Sequence, residues 1–500
     1  MAGTNRGTGP DIGRFRALFE PRGVLVAGAS THPGKFGFVS LHNILACGYE
    51  GKVFATNRDG AEVLGVRSVA EVDDLPDGEI DLVFVCTPAS TNADLLRACA
   101  KKGITAAFIA SAGYGETQTD EGRQAEAELV ALADQLGMLL AGPNGQGVVS
   151  PPAKLCAQIV APYPPRGHIG ITSQSGNFVS SWLNYAGQTG VGISRAVSAG
   201  NAAAVSVPDY LDFFADDPAT SVALAYLEGV GTGVGRAVFD RLRGVAERLP
   251  VVLVKGGRSA EGQRAAASHT GSLASDDRVF DGMCRQAGVV RTPTVEGAFD
   301  VAATFASQPL PRGNRVAVVT TAGGWGVATA DAISQSSLQL APLPADLRAA
   351  IDEQLPPRWS RNNPIDMAGG ETRDTVPAVL DLVAGHPDID AVIFLGIGIQ
   401  SNEAKLMREG RFADEEGLQR IVAYHERQDA RFAQAAIDAS ERTGKPVMVA
   451  TELATTVPDN PAVVTLREAG RLCYASANRA VIALDHLWQR SRWLQRRGLL

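Results

Sequence analysis

The chain has 500 residues, 45% hydrophobic and 20% charged, with a formal net charge of −8. A domain usually holds about 100–200 residues, so several domains rather than a single core are expected. Acids outnumber bases, which leaves no basic surplus for a phosphate backbone and argues against a nucleic-acid partner. No apolar run reaches the roughly 18 residues that cross a bilayer, and the polar first residues lack the order of a secretory signal. The six cysteines are scattered with no CxxC pair. The expectation is a reduced, cytoplasmic protein, without membrane or metal, whose cysteines mostly fill core positions.

Short apolar runs alternate with amphipathic stretches, as in βαβ units built on parallel sheets. The first block predicts strands at 23–28, 52–56, 80–86, 104–110 and 138–141, with helices at 91–102 and 119–135. It closes near Gly142-Pro143-Asn144-Gly145-Gln146-Gly147. The Pro-rich stretch 151–165 reads as a linker. The second block predicts strands at 168–173, 222–227 and 251–255, and residues 308–313 read as the next linker. The third predicts strands at 315–320, 391–395 and 446–450 and a final helix from 478. Blocks two and three open alike, with Ile-Gly-Ile-Thr-Ser-Gln-Ser-Gly at 169–176 and Val-Ala-Val-Val-Thr-Thr-Ala-Gly-Gly at 316–324. This suggests two related α/β domains in tandem. The expected divisions are 1–150, 166–307 and 313–500.

Three loops carry candidate chemistry. The turn from Gly28 to Gly37 follows a strand and precedes a helix, where phosphates are held, but its spacing is not GxGxxG. The next strand ends at Asn57-Arg58, where an NAD site wants an acid. Asn and Arg suit a phosphorylated ribose better, as in coenzyme A or NADP; a tight turn without ligand is the alternative. The second loop, Ser173-Gln174-Ser175-Gly176-Asn177, offers free backbone N–H groups at a helix start as an anion seat, and Ser175 serves equally as a plain helix cap. In the third, His269 stands among small polar residues before a helix at 275–287. His can act as a nucleophile. Glu228 ends the strand 222–227 and could fix the tautomer of an imidazole; a solvated strand-end acid is the alternative.

Together these residues resemble the NDP-forming acyl-CoA synthetases, the superfamily of succinyl-CoA synthetase. The resemblance runs from about Phe15 to the C-terminus. It rests on Ser173-Gln-Ser-Gly-Asn-Phe-Val, Val197-Ser-Ala-Gly-Asn201, Asp209 to Pro218, Tyr226-Leu-Glu228-Gly, Lys255-Gly-Gly-Arg-Ser and, most specifically, Ser268-His-Thr-Gly-Ser-Leu273. Thr321-Ala-Gly-Gly-Trp-Gly326 and Asn363-Pro-Ile-Asp-Met367 are similar to the ligase-type CoA domain.

The resemblance implies an α/β chain: a Rossmann-like CoA-binding domain, then two flavodoxin-like domains. It implies that His269 is transiently phosphorylated, with Glu228 orienting it and Ser175, Gly176, Asn177, Thr270 and Gly271 seating the phosphoryl group. Coenzyme A would contact Ser30, Gly34, Lys35, Gly37, Asn57, Arg58, Thr87, Pro88, Ser111, Ala112, Gly113 and Asn144. The implied reaction interconverts acyl-CoA, phosphate and NDP with carboxylic acid, CoA and NTP through an acyl phosphate.

Two departures stand out. Asn57-Arg58-Asp59 replaces the family's Asn-Pro-Lys, which puts the lysine's phosphate contact in doubt. Gly145 replaces a Cys or Ser, from which a larger acyl pocket is expected. The family's ATP-grasp domain has no counterpart here. The expectation is therefore a separate ATP-grasp subunit carrying ADP/ATP and Mg²⁺, within a homo- or hetero-oligomer. A non-catalytic CoA or acyl-CoA sensor is the alternative, and an NADP-dependent reductase fits less well.

Overall fold

The computed structural model describes residues 12–160, 162–229, 233–259, 261–264, 276–370 and 372–500. The chain divides into two compact units, one up to Ala298 and one from Phe299, with Gln188–Val191 grouped with the latter. No helix among the described residues is long and apolar enough to cross a membrane.

The first unit holds two sheets. β1 (Gly23–Ala27), β2 (Lys52–Thr56), β5 (Leu82–Val85), β6 (Ala106–Ile109) and β7 (Leu139–Ala141) form a parallel sheet in the order β2-β1-β5-β6-β7. A two-stranded hairpin, β3 (Glu62–Val63) and β4 (Val66–Arg67), stands apart. β1, β5 and β6 are buried along their whole length, which is why they read as unbroken apolar runs. The chain leaves β1 toward β2 and returns on the other side as β5. The switch point of this sheet therefore lies between β1 and β5. Four helices belong here: α1 (Phe15–Phe19), α2 (Phe36–Ala46), α3 (Ala89–Lys101) and α4 (Asp120–Gln135). Phe15 and Phe19 of α1 stack on Phe213, with centroids 4.9 and 5.1 Å apart.

The second sheet contains β8 (Gly147–Ser150), β9 (Leu155–Gln158), β10 (Arg166–Ser173), β11 (Ile193–Ser198), β12 (Val222–Leu227), β13 (Val251–Lys255) and β14 (Val290–Arg291). Its order is β14-β13-β12-β10-β11-β8-β9. This corrects the linker reading of 151–165. The prolines Pro151 and Pro152 sit in a 3-10 turn, where a missing N–H costs no ladder bond. That turn joins β8 to β9 as an antiparallel hairpin, β8 pairs antiparallel with β11, and every residue of β9 is buried. The division expected at 150 thus falls inside a hairpin. Helix α5 (Gly176–Thr189) follows β10.

The second unit is built on β15 (Arg315–Thr320), β16 (Gln339–Leu340), β17 (Ile365–Asp366), β18 (Ala391–Leu395), β19 (Val447–Ala450) and β20 (Cys473–Tyr474). They run parallel in the order β16-β15-β18-β19-β20, with β17 also beside β15. The helices Thr375–Gly385 and Glu416–Thr443 bury Val379, Leu380, Val383, Phe432 and Ala436 in the core of this unit. β16 covers the first half of one β15 edge and β17 the second half. Asn363 closes the gap between them: its Nδ2 donates to Val316 O (2.9 Å) and Ala341 O (2.8 Å), and its Oδ1 accepts from Val318 N (2.9 Å).

Asn363 is buried, so Asn363→Ala would take this partner from Ala341 O and Val318 N away from water, while Val316 O keeps the bond from Ala341 N at 2.9 Å. Each such loss costs about 1–3 kcal/mol. The expected outcome is a destabilisation of about 2 kcal/mol or more in urea unfolding, read on the second unit. A wild-type midpoint would contradict it.

Candidate active site

The carboxyl edge of the first sheet gathers the predicted cofactor residues. Ser30, Gly34 and Lys35 lie in the turn after β1, Asn57 and Arg58 after β2, Thr87 and Pro88 after β5, Ser111, Ala112 and Gly113 after β6, and Asn144 after β7. The two turns flanking β1 and β2 are tied together. Asn57 Nδ2 donates to Ala29 O at 2.8 Å, its Oδ1 accepts from Asp59 N at 2.9 Å, and Gly28 N donates to Thr56 Oγ1 at 3.2 Å. This leaves Arg58 and Lys35 exposed on the rim. Gly37 does different work. It is buried, and a Cβ there would stand 2.0 Å from Gly28 O. It lets α2 press against the β1 turn, the third-glycine role of such turns.

A hub that the sequence reading missed holds the other two loops. Asn92 is fully buried in α3. Its Oδ1 accepts from Thr87 Oγ1 at 2.9 Å, and its Nδ2 donates to Ser111 Oγ at 3.0 Å and Tyr114 OH at 2.8 Å. The signal was present: Asn92, Leu96 and Cys99 share one buried face at helical spacing. After β7, Asn144 adopts φ 60° and donates Nδ2 to Asn201 Oδ1 at 3.3 Å. Asn201 in turn donates to Glu116 Oε2 (2.6 Å) and Glu126 Oε2 (2.7 Å). Burial acts to raise Glu116, but the bonds from Asn201, Gly113 and Tyr114 outweigh it and hold the carboxyl below its ordinary range.

The second sheet carries the predicted anion seat at the start of α5. Ser173, the last residue of β10, is fully buried and folds its hydroxyl back on the turn. Its Oγ donates to Ser175 O at 2.6 Å and accepts from Ser175 N at 3.0 Å. The chain is thereby aimed into the helix at Gly176. Gln146 lies across this helix start: its Nε2 donates to Asn177 Oδ1 at 3.1 Å, and its Oε1 accepts from Ser180 Oγ at 3.2 Å. A Cβ on Gly176 would stand 2.2 Å from Gln146 Cδ, so the position requires glycine while Gln146 stays.

Glu228 follows β12, the neighbour of β10, and the structure brings it to the same turn. Gln174 Oε1 accepts from Glu228 N at 2.8 Å, and Tyr226 OH donates to Glu228 Oε1 at 3.4 Å. Glu228 is 5% exposed. Burial, and then the adjacent Glu228, push the Tyr226 phenol up, so Tyr226 remains a hydrogen-bond donor. His269, Thr270 and Gly271 lie outside the described residues. The start of α5, the buried side chain of Glu228 and the donors that fix both thus meet at one edge of the sheet.

The second unit repeats the same turn. Thr320, at the end of β15, donates Oγ1 to Ala322 O at 2.8 Å and accepts from Ala322 N at 3.0 Å. The helix Gly323–Ser334 follows three residues after Thr320, as α5 follows Ser173.

Gly145 does not open an acyl pocket. It is buried, and a Cβ there would stand 2.5 Å from Ser198 O and 2.6 Å from Phe108 Cζ. Phe108 is itself fixed by stacking on Phe84 at 5.2 Å. The missing side chain is replaced by protein packing. Gly145→Ser is therefore expected to lower stability by about 1–3 kcal/mol, with the ranking of acyl chains by kcat/KM unchanged. Unfolding and chain-length kinetics check this; wild-type stability with a changed ranking would contradict it.

Comparison with known proteins agrees with these features. The family model described as CoA binding domain matches residues 22–151, that of the succinyl-CoA ligase like flavodoxin domain 166–305, and that of the Ligase-CoA domain 316–399. The chain is 33% identical over 487 residues to the acetate–CoA ligase [ADP-forming] I subunit alpha of Pyrococcus furiosus, covering 96% of this chain and 98% of that one. It is 36% identical to acetate–CoA ligase [ADP-forming] II of Archaeoglobus fulgidus, where the match covers 72% of this chain and 52% of that protein. Among solved structures, a dinucleotide forming acetyl-coenzyme A synthetase 1 of Ca. Korarchaeum cryptofilum, in complex with phosphate and ADP, superposes with a TM-score of 0.82 at 30% identity. That match covers 96% of this chain and 97% of the other. With a full-length relative of this kind and all three domain models in order, the chain belongs to the NDP-forming acid–CoA ligases of the succinyl-CoA synthetase superfamily.

Proposed function

We propose that the chain is the CoA- and phosphohistidine-bearing component of an NDP-forming acid–CoA ligase. The observation that carries this is the meeting of Glu228 with the Gln174–Ser175 turn at the start of α5. A protein that only binds CoA needs neither a buried strand-end carboxylate nor a second anion seat, and the full-length relative is named as a ligase subunit.

In this reading CoA lies along the carboxyl edge of the first sheet, with Lys35 and Arg58 toward its phosphates. A phosphate oxygen attacks the thioester carbonyl, the C–S bond breaks, and the CoA thiolate leaves. The resulting acyl phosphate gives its phosphoryl group to an imidazole nitrogen of His269, and the carboxylic acid departs as its anion. Glu228 accepts the hydrogen bond of the other ring nitrogen, which keeps the attacking nitrogen unprotonated. The N–H groups of Gly176 and Asn177, with the dipole of α5, balance the phosphoryl charge, and Thr270 and Gly271 complete the seat. His269 then passes the phosphoryl group to a nucleoside diphosphate.

The nucleotide and its Mg²⁺ are assigned to a separate ATP-grasp partner, which supplies the charge neutralisation for that last transfer. The match to the A. fulgidus relative covers 52% of that protein, so much of its length lies outside the part that resembles this chain. The composition supports a cytoplasmic setting.

With the cognate ATP-grasp protein, His269→Ala is expected to abolish acid- and CoA-dependent ATP turnover. Glu228→Gln should lower kcat about a hundredfold or more while CoA binding is retained. Steady-state kinetics and CoA titration check both. Wild-type turnover in His269→Ala would overturn the assignment.

A further inference from the structure

Helix α2 of the first domain packs on β9 of the second sheet, and each contributes a cysteine to the contact. Cys47 closes the C-terminus of α2 and is partly exposed; Cys156 in β9 is 4% exposed. Several bonds fix the register. Cys47 Sγ lies 2.9 Å from Lys154 O, and Asn43, one turn earlier, donates Nδ2 to Gln158 O at 2.8 Å. Lys154 and Gln158 bracket Cys156, which brings the two cysteines to the same place in the contact between α2 and β9.

They are unequal. Cys47 is the accessible member and Cys156 the buried one, and their proximity lowers the Cys47 thiol from its ordinary range while it and burial raise that of Cys156. Burial raises Cys86, Cys99, Cys284 and Cys473 to about 12. A nucleophilic, accessible thiol beside a buried resolving thiol is the arrangement of a redox-active pair.

We propose that Cys47 and Cys156 form a dithiol that reacts with hydroperoxides and closes reversibly to a disulfide. The Cys47 thiolate attacks the terminal peroxide oxygen, the O–O bond breaks, and an alcohol or water leaves. The Cys47 sulfenic acid is then attacked by the Cys156 sulfur; the S–S bond forms and hydroxide departs, taking the Cys156 proton as water. Two thiols lose two electrons and the peroxide gains them. A dithiol reductant reverses the change. The link would tie α2, which starts just after Lys35, to the hairpin that follows Gln146.

The test treats the whole reduced protein with one equivalent of hydrogen peroxide and maps its peptides without reduction. The expected result is a 47–156 disulfide that dithiothreitol removes, with Cys47 thiol lost at least about tenfold faster than Cys99 thiol. In Cys156→Ser, dimedone should trap a sulfenic acid on Cys47. The proposal is overturned if the wild-type map contains no 47–156 peptide, or if Cys47 reacts no faster than Cys99.

Discussion

A parallel strand that turns into a helix exposes the helix's first N–H groups at the sheet edge, and something must hold that turn open without consuming them. In this protein a buried hydroxyl at the strand end does so. Ser173 bonds both the N–H and the C=O of Ser175, and Thr320 makes the same pair of bonds with Ala322. The bonds stay within the turn and do not use the N–H groups of Gly176 and Asn177. Once Ser173 aims α5, the remaining parts have fixed places: Gln146 across the helix start, Gln174 on the Glu228 backbone, and Glu228 beside the seat.

The first and second sheets are joined through the loops at their edges. The chain leaves β7 at the CoA edge, passes Asn144 and Gln146, and enters β8 of the second sheet. Asn201, from the loop after β11, returns to bind Asn144, Glu116 and Glu126. Two residues after Asn144, Gln146 donates its backbone N–H to Ser198 Oγ at 3.0 Å and lies across the start of α5.

Much of this architecture was legible in the residues. β1, β5, β6, β12 and β13 are buried on both faces, and burial on both faces demands uninterrupted apolar runs. β8 and β9 were hidden because Pro151 and Pro152 resemble a linker, although they occupy a turn of the hairpin. The turns after β10 and β15 could be matched by residue type alone, since their hydroxyls have the same task. Gly145 misled because its neighbours, Phe108 and Ser198, come from distant segments, and an absent side chain looks like space until those neighbours are in place. The burial of Asn92 is readable from its helical spacing with Leu96 and Cys99, whereas Gln146 and Asn201 act through partners farther along the chain that no local pattern shows.

The central claim is that the seat beside Glu228 handles a phosphoryl group carried by His269. The most direct measurement incubates the chain with acyl-CoA and radiolabelled inorganic phosphate, then locates the label by peptide mapping. The account predicts an acid-labile, base-stable phosphoryl group on His269 whose formation depends on acyl-CoA. An acid-stable label, or one that persists in His269→Ala, would contradict it.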